Sequence, residues 1–372
     1  MSAIRFRWNL LQAGLVALVL SACGGGDDSG PPASGTMASY TATSLVSDVN
    51  TSANPYATSN VDPNLVNSWG IAFNPAGFVW VANAGTSTST LYDGNGARQS
   101  LVVAIPAGTA GAASPTGIVF NASTTSFAVT QGGLTGASPF IFVGEAGTVA
   151  GWSPSVNLNA AITVYDGAAT GVVFKGAALA SSAGANFLYA TDFHNGKVMV
   201  FDATFAPVTV SGSFTDATLP AGYAPFGIQA IGGQLYVSYA KQDGAAHDNV
   251  DGAGLGLINV FDATGHFVKR FVDVGGALNA PWGMALAPSN FGTFSGALLV
   301  GNFGDGKINA YNPSTGALLG TLSGSSGTPL AIDGLWGIAF GNGINSQPTN
   351  TLFYAAGPAD ETHGVYGRID VH

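Results

Sequence analysis

The sequence has little charge, almost no cysteine and no helical periodicity, and each shortage excludes a class of protein. Only 8% of the 372 residues are charged and 47% are apolar. That balance excludes a disordered chain, which needs low hydrophobicity and high charge. The one cysteine, Cys23, leaves no disulfide and no thiolate metal site. Beyond the first 22 residues, no window longer than a turn or two has the spacing of an amphipathic helix, which favours an all-β chain.

Sequence motifs of several enzyme classes are also missing. The chain contains no Gly-x-Ser-x-Gly elbow, no His-Glu-x-x-His and no phosphate-binding glycine loop. The five histidines are mostly far apart in the sequence, which disfavours a Ser-His-Asp triad. Function must therefore be sought in a less common arrangement of residues.

The N-terminal segment is typical of an export signal. Arg5 and Arg7 precede the apolar run WNLLQAGLVALVL, which is too short to span a bilayer comfortably. The run ends at LSAC, Leu20 to Cys23, which resembles a bacterial lipobox, whose cysteine is lipidated and becomes the mature N-terminus. An ordinary signal peptide with an incidental cysteine is the alternative. We divide the chain into a lipoprotein signal peptide (1–22), a flexible tether from Cys23 (23–39) and a folded domain (40–372).

The lipobox resemblance implies a location in the bacterial cell envelope. Gly24 follows the cysteine where an aspartate would indicate retention in the inner membrane, so a Gram-negative source implies an outer-membrane lipoprotein. We expect the folded domain to lie outside the cytoplasm and to contact the membrane only through the lipid on Cys23. Loss of Arg5 and Arg7 leaves eight basic against twenty acidic residues, a formal charge of −12. Such a surface repels nucleic acid, and we expect a monomer that binds none.

One apolar motif, written PWGMALAP at Pro281–Pro288, occurs six times. The other copies are SWGIAFNP, PTGIVFNA, FKGAALAS, PFGIQAIG and LWGIAFGN. Their shared glycines, which are 47, 59, 51, 56 and 54 residues apart, are Gly70, Gly117, Gly176, Gly227, Gly283 and Gly337. That period is typical of a four-stranded propeller blade with variable loops.

Further strands follow each copy of the motif. Second strands are predicted at FVWVANAG, SFAVTQGG and NFLYATDF, and third strands at KVMVFDAT and LINVFDAT. Fourth strands are weaker, as in SLVVAI, GSFTD and FVKRFV. The chain stops after the third strand of the sixth repeat, and a spare β-like segment, Tyr40–Val49, precedes the first.

We therefore predict an all-β, six-bladed β-propeller with four-stranded blades over residues 40–372. The N-terminal segment pairs with the last blade and closes the ring, which leaves no exposed circular edge. The motif is the innermost strand of each blade, and its glycine lets neighbouring backbones approach near the crowded axis.

A resemblance to known proteins supports this architecture. FLYATDFHNGKVMVFD and LLVGNFGDGKINAYNP resemble NHL-type blades. NLVNSWGIAFNP, APWGMALAPSNFG and GPADETHGVYGRI are similar to segments of a family of secreted bacterial six-bladed propellers with no assigned activity. The resemblance covers nearly everything after the tether, and it implies a fold but no mechanism.

Sorting the loops by face predicts where the site lies. Loops leading into inner strands and out of second strands share one face, here called the front face; the remaining loops form the back face. Back-face loops such as NPAG and DATGH are turn formers. Almost every polar residue that could bind a ligand or take part in catalysis falls on the front face, so we place the site there.

Two sets of oxygen ligands on the front face are candidates for calcium or magnesium. Asn83, Asp192 and Asn302 occupy one equivalent position after the second strand of alternate blades. Gluconolactonase-like propellers, which this chain distantly resembles, hold a divalent cation in a comparable channel, with a glutamate that has no counterpart assigned here. Caps of the local turns are the alternative reading of these three residues. The second set, Asp243, Asp248 and Asp251, lies in the loop YAKQDGAAHDNVDGAG, which matches no EF-hand and reads equally well as a solvated loop.

Other front-face residues are candidates for ligand binding or catalysis. Trp69, Trp282 and Trp336 offer flat rings to a sugar or another planar ligand, or else are wedges packed between blades. Glu361 or His363, in the turn GPADETHG, is a candidate general base. The remaining ligand-binding candidates on this face are Lys175, Asn279, Asp333, Tyr239 and His194.

The sequence predicts a cell-envelope lipoprotein propeller that binds a small molecule, a glycan or a protein partner on its front face. A divalent-metal-dependent hydrolase or lactonase with its cation in the central channel is one alternative. A structural envelope protein is the other. Whether the protein is an enzyme stays open.

Overall fold

The computed structural model describes residues 38–372, which form six β-sheets of four or more strands arranged around one axis. The predicted all-β, six-bladed propeller is confirmed. Helical structure in this part of the chain amounts to three short 3-10 turns, Ala84–Thr86, Ala168–Thr170 and Gly292–Phe294. Among the described residues, then, no helix has the length and apolarity needed to cross a bilayer. The predicted signal peptide, Cys23 and most of the tether lie outside the described residues.

The strands are numbered in chain order. The first strand and blades one and two comprise β1 (Tyr40–Ser47), β2 (Ser68–Phe73), β3 (Val79–Asn83), β4 (Thr88–Tyr92), β5 (Arg98–Ala104), β6 (Pro115–Phe120), β7 (Ala128–Gln131), β8 (Leu134–Ala137), β9 (Phe140–Gly144), β10 (Thr148–Trp152) and β11 (Ile162–Asp166). Blades three and four comprise β12 (Phe174–Ser182), β13 (Ala185–Asp192), β14 (Lys197–Phe201), β15 (Pro207–Val208), β16 (Tyr223–Ile231), β17 (Gln234–Gln242), β18 (Asn249–Val250), β19 (Gly256–Phe261) and β20 (Phe267–Val272). Blades five and six comprise β21 (Pro281–Leu286), β22 (Leu298–Asn302), β23 (Ile308–Tyr311), β24 (Leu318–Thr321), β25 (Leu335–Phe340), β26 (Leu352–Ala356) and β27 (Val365–Val371).

The ring is closed as predicted, by the first strand on the last blade. Strand β1 pairs antiparallel with β27, with Tyr40 opposite Val371, and completes the sheet β1-β27-β26-β25. The Tyr40 side chain is buried, and its hydroxyl donates to the Phe291 carbonyl at 3.0 Å. The N-terminal strand is therefore fixed by backbone pairing and by side-chain packing on blade five.

The six motif glycines lie where inner strands of adjacent blades touch. A Cβ atom on Gly70 would lie 2.5 Å from the Thr116 carbonyl oxygen of blade two. A Cβ atom on Gly337 would lie 2.5 Å from the Trp69 carbonyl oxygen of blade one. The other four glycines meet the next blade in the same way, so the contacts run around the whole ring. Larger residues at these positions would push blades apart, which explains why the motif keeps its glycine.

Blade two departs from the sequence prediction. Its second strand is β9, and the predicted second strand, SFAVTQGG, instead forms part of the extra hairpin β7–β8. Gln131, the last residue of β7, lies in that hairpin, which connects β6 to β9 on the back-face side. The prediction was wrong because the hairpin sequence alternates like a strand and stands where other blades have their second strand. In blade three the fourth strand is β15, and not the predicted GSFTD.

Candidate functional site

The front end of the central channel is closed by the side chains that precede the motif glycines. These six residues are Trp69, Thr116, Lys175, Phe226, Trp282 and Trp336. The rings of Trp69 and Trp336 stack with centroids 3.3 Å apart, and the Trp282 ring meets each of them edge-on at 5.9 Å. Blades one and five are not neighbours, so Trp69 and Trp282 meet at the axis. We call Trp69, Phe226, Trp282 and Trp336 the aromatic plug.

Two of the plug tryptophans, Trp69 and Trp336, belong to the adjacent blades one and six and stack on each other. Trp69 and Trp336 are only 2% and 1% exposed, and Phe303 stacks on Trp336 at 4.1 Å. Their ring faces therefore contact other protein side chains. Ligand stacking on these rings would require the plug to open, and it stays a prediction. Trp282 is partly exposed, and its indole nitrogen donates to the Lys175 carbonyl at 3.0 Å.

Lys175 is a buried cation directly above the plug. Its side chain is 1% exposed, and Nζ lies 5.3 Å from the centre of the Trp69 ring. Nζ donates to Glu145 and, at 3.1 Å, to Asp248 Oδ1. Burial alone would lower the pKa of Lys175, but the two carboxylates reverse that effect and the pKa is raised. The ammonium group is therefore held charged at the axis and joins blades two, three and four.

Glu145 was not identified from the sequence. It follows β9 directly, and that strand was not assigned to the second position of blade two. The signal was present in FIFVGEAG, an apolar strand followed by an acidic residue. Recognising it requires knowing that the preceding hairpin is an insertion.

Glu361 reaches the same region from blade six through an unusual turn. Ala359, Asp360 and Glu361 all have left-handed backbone conformations, with φ of 55°, 53° and 62°. Each such residue costs roughly 1 kcal/mol relative to the right-handed form, and strain of this kind concentrates at functional sites. The turn is fixed by Asp333, whose Oδ2 accepts from the Ala359 amide at 2.9 Å. His363 anchors its far side by pairing with Asp48, Nδ1 to Oδ2, at 2.7 Å.

The carboxyl group of Glu361 is perturbed. Its pKa is raised to about 7, chiefly by burial and also by the charges of Glu145 and Asp248, against the lowering effects of Lys175 and of a hydrogen bond with Asn67. Its Oε1 atom is buried and has no hydrogen-bond partner among the described residues. An acid with a pKa near neutrality can both give and take a proton at physiological pH.

His247 completes the cluster of ionisable side chains around Lys175. Ligand atoms of Glu145, His247 and Asp248 all lie within 4.8 Å of one another, a spacing that suits a bound metal ion. His247 and Asp248 are exposed, and Lys175 lowers the pKa of Asp248 against the opposing effect of burial. We call Glu145, His247, Asp248 and Glu361, grouped around Lys175, the acidic centre.

The predicted ligands Asn83, Asp192 and Asn302 are the last residues of β3, β13 and β22, and all are fully buried. Asn83 donates to Thr88 and Thr90, and Asp192 accepts from the Val173 and Asn195 amides. Asn302 donates to the Ala277 carbonyl and to Asp305. The two amide nitrogens and the Asp192 carboxylate thus make the contacts of turn caps, whereas Asn83 Oδ1 and Asn302 Oδ1 are buried without a hydrogen-bond partner among the described residues. Metal ligation by the three residues stays a prediction.

The remaining candidates are divided between the core and the surface. Tyr239 is 1% exposed and packs in the core between blades three and four, and contact between this side chain and a ligand stays a prediction. Asn279 is also buried and accepts from the Gly252 amide at 2.7 Å. His194 and Asp333 are exposed on the front face.

Asp243 Oδ1 accepts from the amides at Ala245 and His247, which shapes the loop that carries Asp248. Asp251 is exposed and accepts from Asn249.

Comparisons with known proteins identify relatives of this chain. The "Uncharacterized protein R648" of Acanthamoeba polyphaga mimivirus is 37% identical over 319 residues, which cover 83% of this chain and 76% of the viral protein. The "Uncharacterized protein L690" of the same virus is 32% identical over 316 residues, 83% of this chain and 81% of the viral protein. No protein-family model matches the chain.

Solved structures show the same fold. A structural genomics protein of unknown function from Bacteroides thetaiotaomicron matches with a TM-score of 0.55 and 12% identity over 90% of this chain and 76% of that one. At that identity the likeness extends to the fold alone. The bacterial and secreted character implied by the sequence resemblance stays a prediction.

Proposed function

Since this chain belongs to the family of the two mimivirus proteins, a relationship that indicates a fold but no activity, we propose a function from the residues of the acidic centre. The propeller binds a divalent metal ion on its front face. Glu145, His247 and Asp248 are the ligands, and Glu361 lies beside them. The proposed ligand is a cation, as in the metal-dependent alternative, and the proposed site shares only Asp248 with the two ligand sets predicted from the sequence.

The unpartnered oxygen of Glu361 is the observation that carries the proposal. Buried side-chain oxygens nearly always have a hydrogen-bond partner, and an orphan one indicates a missing water, ion or ligand. The carboxylates of Glu145 and Asp248 both raise the pKa of Glu361, and such like charges favour either protonation or a bound cation. A metal ion would remove both penalties at once.

Charge balance supports a divalent ion. Glu145, Asp248 and Glu361 carry three negative charges when ionised, and Lys175 carries one positive charge. The remaining two negative charges match one divalent cation. An imidazole beside carboxylates suits manganese or zinc better than calcium or magnesium, which prefer oxygen ligands alone.

Lys175 prepares the site in this proposal. Its two ion pairs hold the carboxylates of blades two and four in fixed positions, and it lowers the pKa of Asp248. Ligands that are already ionised and oriented bind a metal without releasing a proton or ordering a side chain. The exposed loop of blade four, which carries His247 and Asp248, is the route of access.

Metal-dependent hydrolysis is a second candidate function, and the pKa of Glu361 favours it. A carboxyl group with a pKa of about 7 next to a metal site is suited to take a proton from a water molecule. His363 is less suited to this role because Asp48 occupies its Nδ1. We further propose that the propeller acts in the cell envelope, anchored through Cys23.

Equilibrium dialysis of the purified protein against Mn²⁺, Zn²⁺ or Ca²⁺, followed by elemental analysis, tests the proposal. We expect one Mn²⁺ or Zn²⁺ per chain, and affinity at least 10-fold weaker in Asp248→Asn and Glu361→Gln. Asp251→Asn is the matched control from the same loop and should bind as the wild type does. Substoichiometric metal in the wild type, or equal weakening by Asp251→Asn, would contradict the assignment.

A further inference from the structure

The central channel has a second end, which opens on the back face. At the level of the motif glycines the channel is narrow, with a cavity of about 40 Å³. Beyond them it widens into a cavity of about 370 Å³ along the last residues of the inner strands. An adjoining cavity of about 300 Å³ shares Ile71, Gln229 and Phe340 with it. We call these two cavities together the back-face funnel.

The width of the funnel follows from a pattern in the repeated motif. The position two residues after each glycine is occupied by Ala72, Val119, Ala178, Gln229, Ala285 and Ala339. All six line the funnel. The position one residue before the glycine holds large side chains in five of the six blades, which close the front end. The same strands therefore close the channel at one end and leave it open at the other.

The lining of the funnel is uncharged. Among the described residues that form it, every side chain is apolar except that of Gln229, which is exposed into the cavity beside Ala230 and Ala339. A carboxylate or ammonium group in this space would lose its hydration and gain no counter-charge. Polar atoms of the main chain and of Gln229 nevertheless form the larger part of the exposed wall, so the walls select an uncharged ligand that combines an apolar part with a hydrogen-bonding group.

We propose that the back-face funnel binds a small, uncharged amphiphile, with an alkyl or aryl body and one amide-like group that hydrogen-bonds to Gln229. The volume lies in the range of small-molecule sites, which are mostly apolar with a few placed polar groups. The Gln229 side chain both donates and accepts, so a primary amide can form two hydrogen bonds with it. This site is separate from the acidic centre because the aromatic plug lies between them.

Displacement of a fluorescent probe tests the proposal on the purified full chain. N-phenyl-1-naphthylamine, an uncharged aryl amine, is the probe, and decanamide and decanoate are the competitors. We expect saturable probe binding and at least 10-fold stronger displacement by decanamide than by decanoate. Gln229→Leu should retain the probe and lose about 10-fold in decanamide affinity, as expected for one to two net hydrogen bonds.

Two further variants locate the site. Ala339→Phe should abolish probe binding by filling the funnel, and Ala230→Phe serves the same purpose if the first variant does not fold. Leu134→Ala, at the 56% exposed tip of the β7–β8 hairpin, is the control and should leave binding unchanged. Probe binding that survives both filling variants, or equal displacement by the two competitors, would overturn the proposal. Mn²⁺ binding by the same variants reports on the acidic centre independently.

Discussion

Asp248 Oδ1 lies 3.1 Å from Lys175 Nζ, although Asp248 belongs to an exposed loop of blade four and Lys175 is buried at the axis. The loop is held in this position by the short strand β18, in which Asn249 and Val250 pair with the end of β17. Glu145 approaches the same ammonium group from blade two. The buried Lys175 therefore connects blades two, three and four through ion pairs at the front face.

Removal of the lysine charge should destabilise the protein strongly. Lys175→Met keeps much of the side-chain length but leaves Glu145, Asp248 and Glu361 without a nearby cation. Breaking a buried ion pair in this way costs roughly 3–5 kcal/mol. We expect a loss of this size in the free energy of urea unfolding at pH 7.5, and a smaller loss at pH 5, where Glu361 is protonated.

Lys197→Met is the control for that prediction. Lys197 is 53% exposed and lies 3.9 Å from the buried Asp192, which keeps its hydrogen bonds from the Val173 and Asn195 amides, so loss of this long, solvent-screened contact should cost less than about 1 kcal/mol. Equal destabilisation by the two variants would show that Lys175 has no special electrostatic role.

The raised pKa of Glu361 predicts a pH-dependent stability. The carboxyl group has a pKa of 4.5 in the unfolded chain and about 7 in the folded protein. Between these values the folded state holds the extra proton, so its stabilising contribution is complete below pH 4.5 and is lost as the pH rises through 7. Glu361→Gln should therefore gain stability relative to the wild type, by roughly 2 kcal/mol, between pH 5 and pH 8. Urea unfolding in EDTA measures this, and a difference independent of pH would contradict it.

The contact between Gly337 and blade one predicts a steric effect. Gly337→Ala would place a methyl group 2.5 Å from the Trp69 carbonyl oxygen, and we expect a loss of roughly 1–3 kcal/mol on unfolding. Gly244→Ala is matched in chemistry, but its added Cβ has open space around it. That control should stay within about 0.5 kcal/mol of the wild type. If the two variants have the same stability, the ring of glycine contacts does not constrain the fold.

The position of Tyr40 in β1 predicts that this residue contributes to the stability of the closed ring. Tyr40→Phe removes the hydrogen bond to the Phe291 carbonyl and should cost about 1 kcal/mol. Tyr40→Ala also empties a packed position between Phe291 and Phe294 and should cost roughly 3–5 kcal/mol. Thr41→Ala, at an exposed position of the same strand, is the control. Thermal unfolding that is indifferent to Tyr40→Ala would show that closure does not depend on this strand.

The fold could be predicted because its repeating element is carried by a local pattern. Glycine followed by an alternating apolar strand is visible at Gly283 and at five other positions, and its period gives the number of blades. The hairpin β7–β8 could not be told from a blade strand, because both alternate apolar and polar residues. Only the partner of a strand distinguishes the two, and pairing is a property of the folded chain.

The site could be predicted only in part. Because the order of strands and loops in a blade decides which loops share a face, the sequence alone places Glu361 and Asp248 on the front face. The position of Glu361 over the axis depends on three consecutive left-handed residues, none of which is glycine, and no local preference indicates such a turn. The burial of Lys175 was equally invisible, since a lysine near a strand start is ordinarily solvated.

Anomalous X-ray diffraction from crystals grown with Mn²⁺ tests the central claim most directly. The account predicts one strong anomalous peak within about 2.0–2.3 Å of ligand atoms of Glu145, His247 and Asp248, with Glu361 close to it. A difference map from Asp248→Asn crystals should lose that peak. A peak at Asn83, Asp192 and Asn302 instead, or none on the front face, would contradict the account.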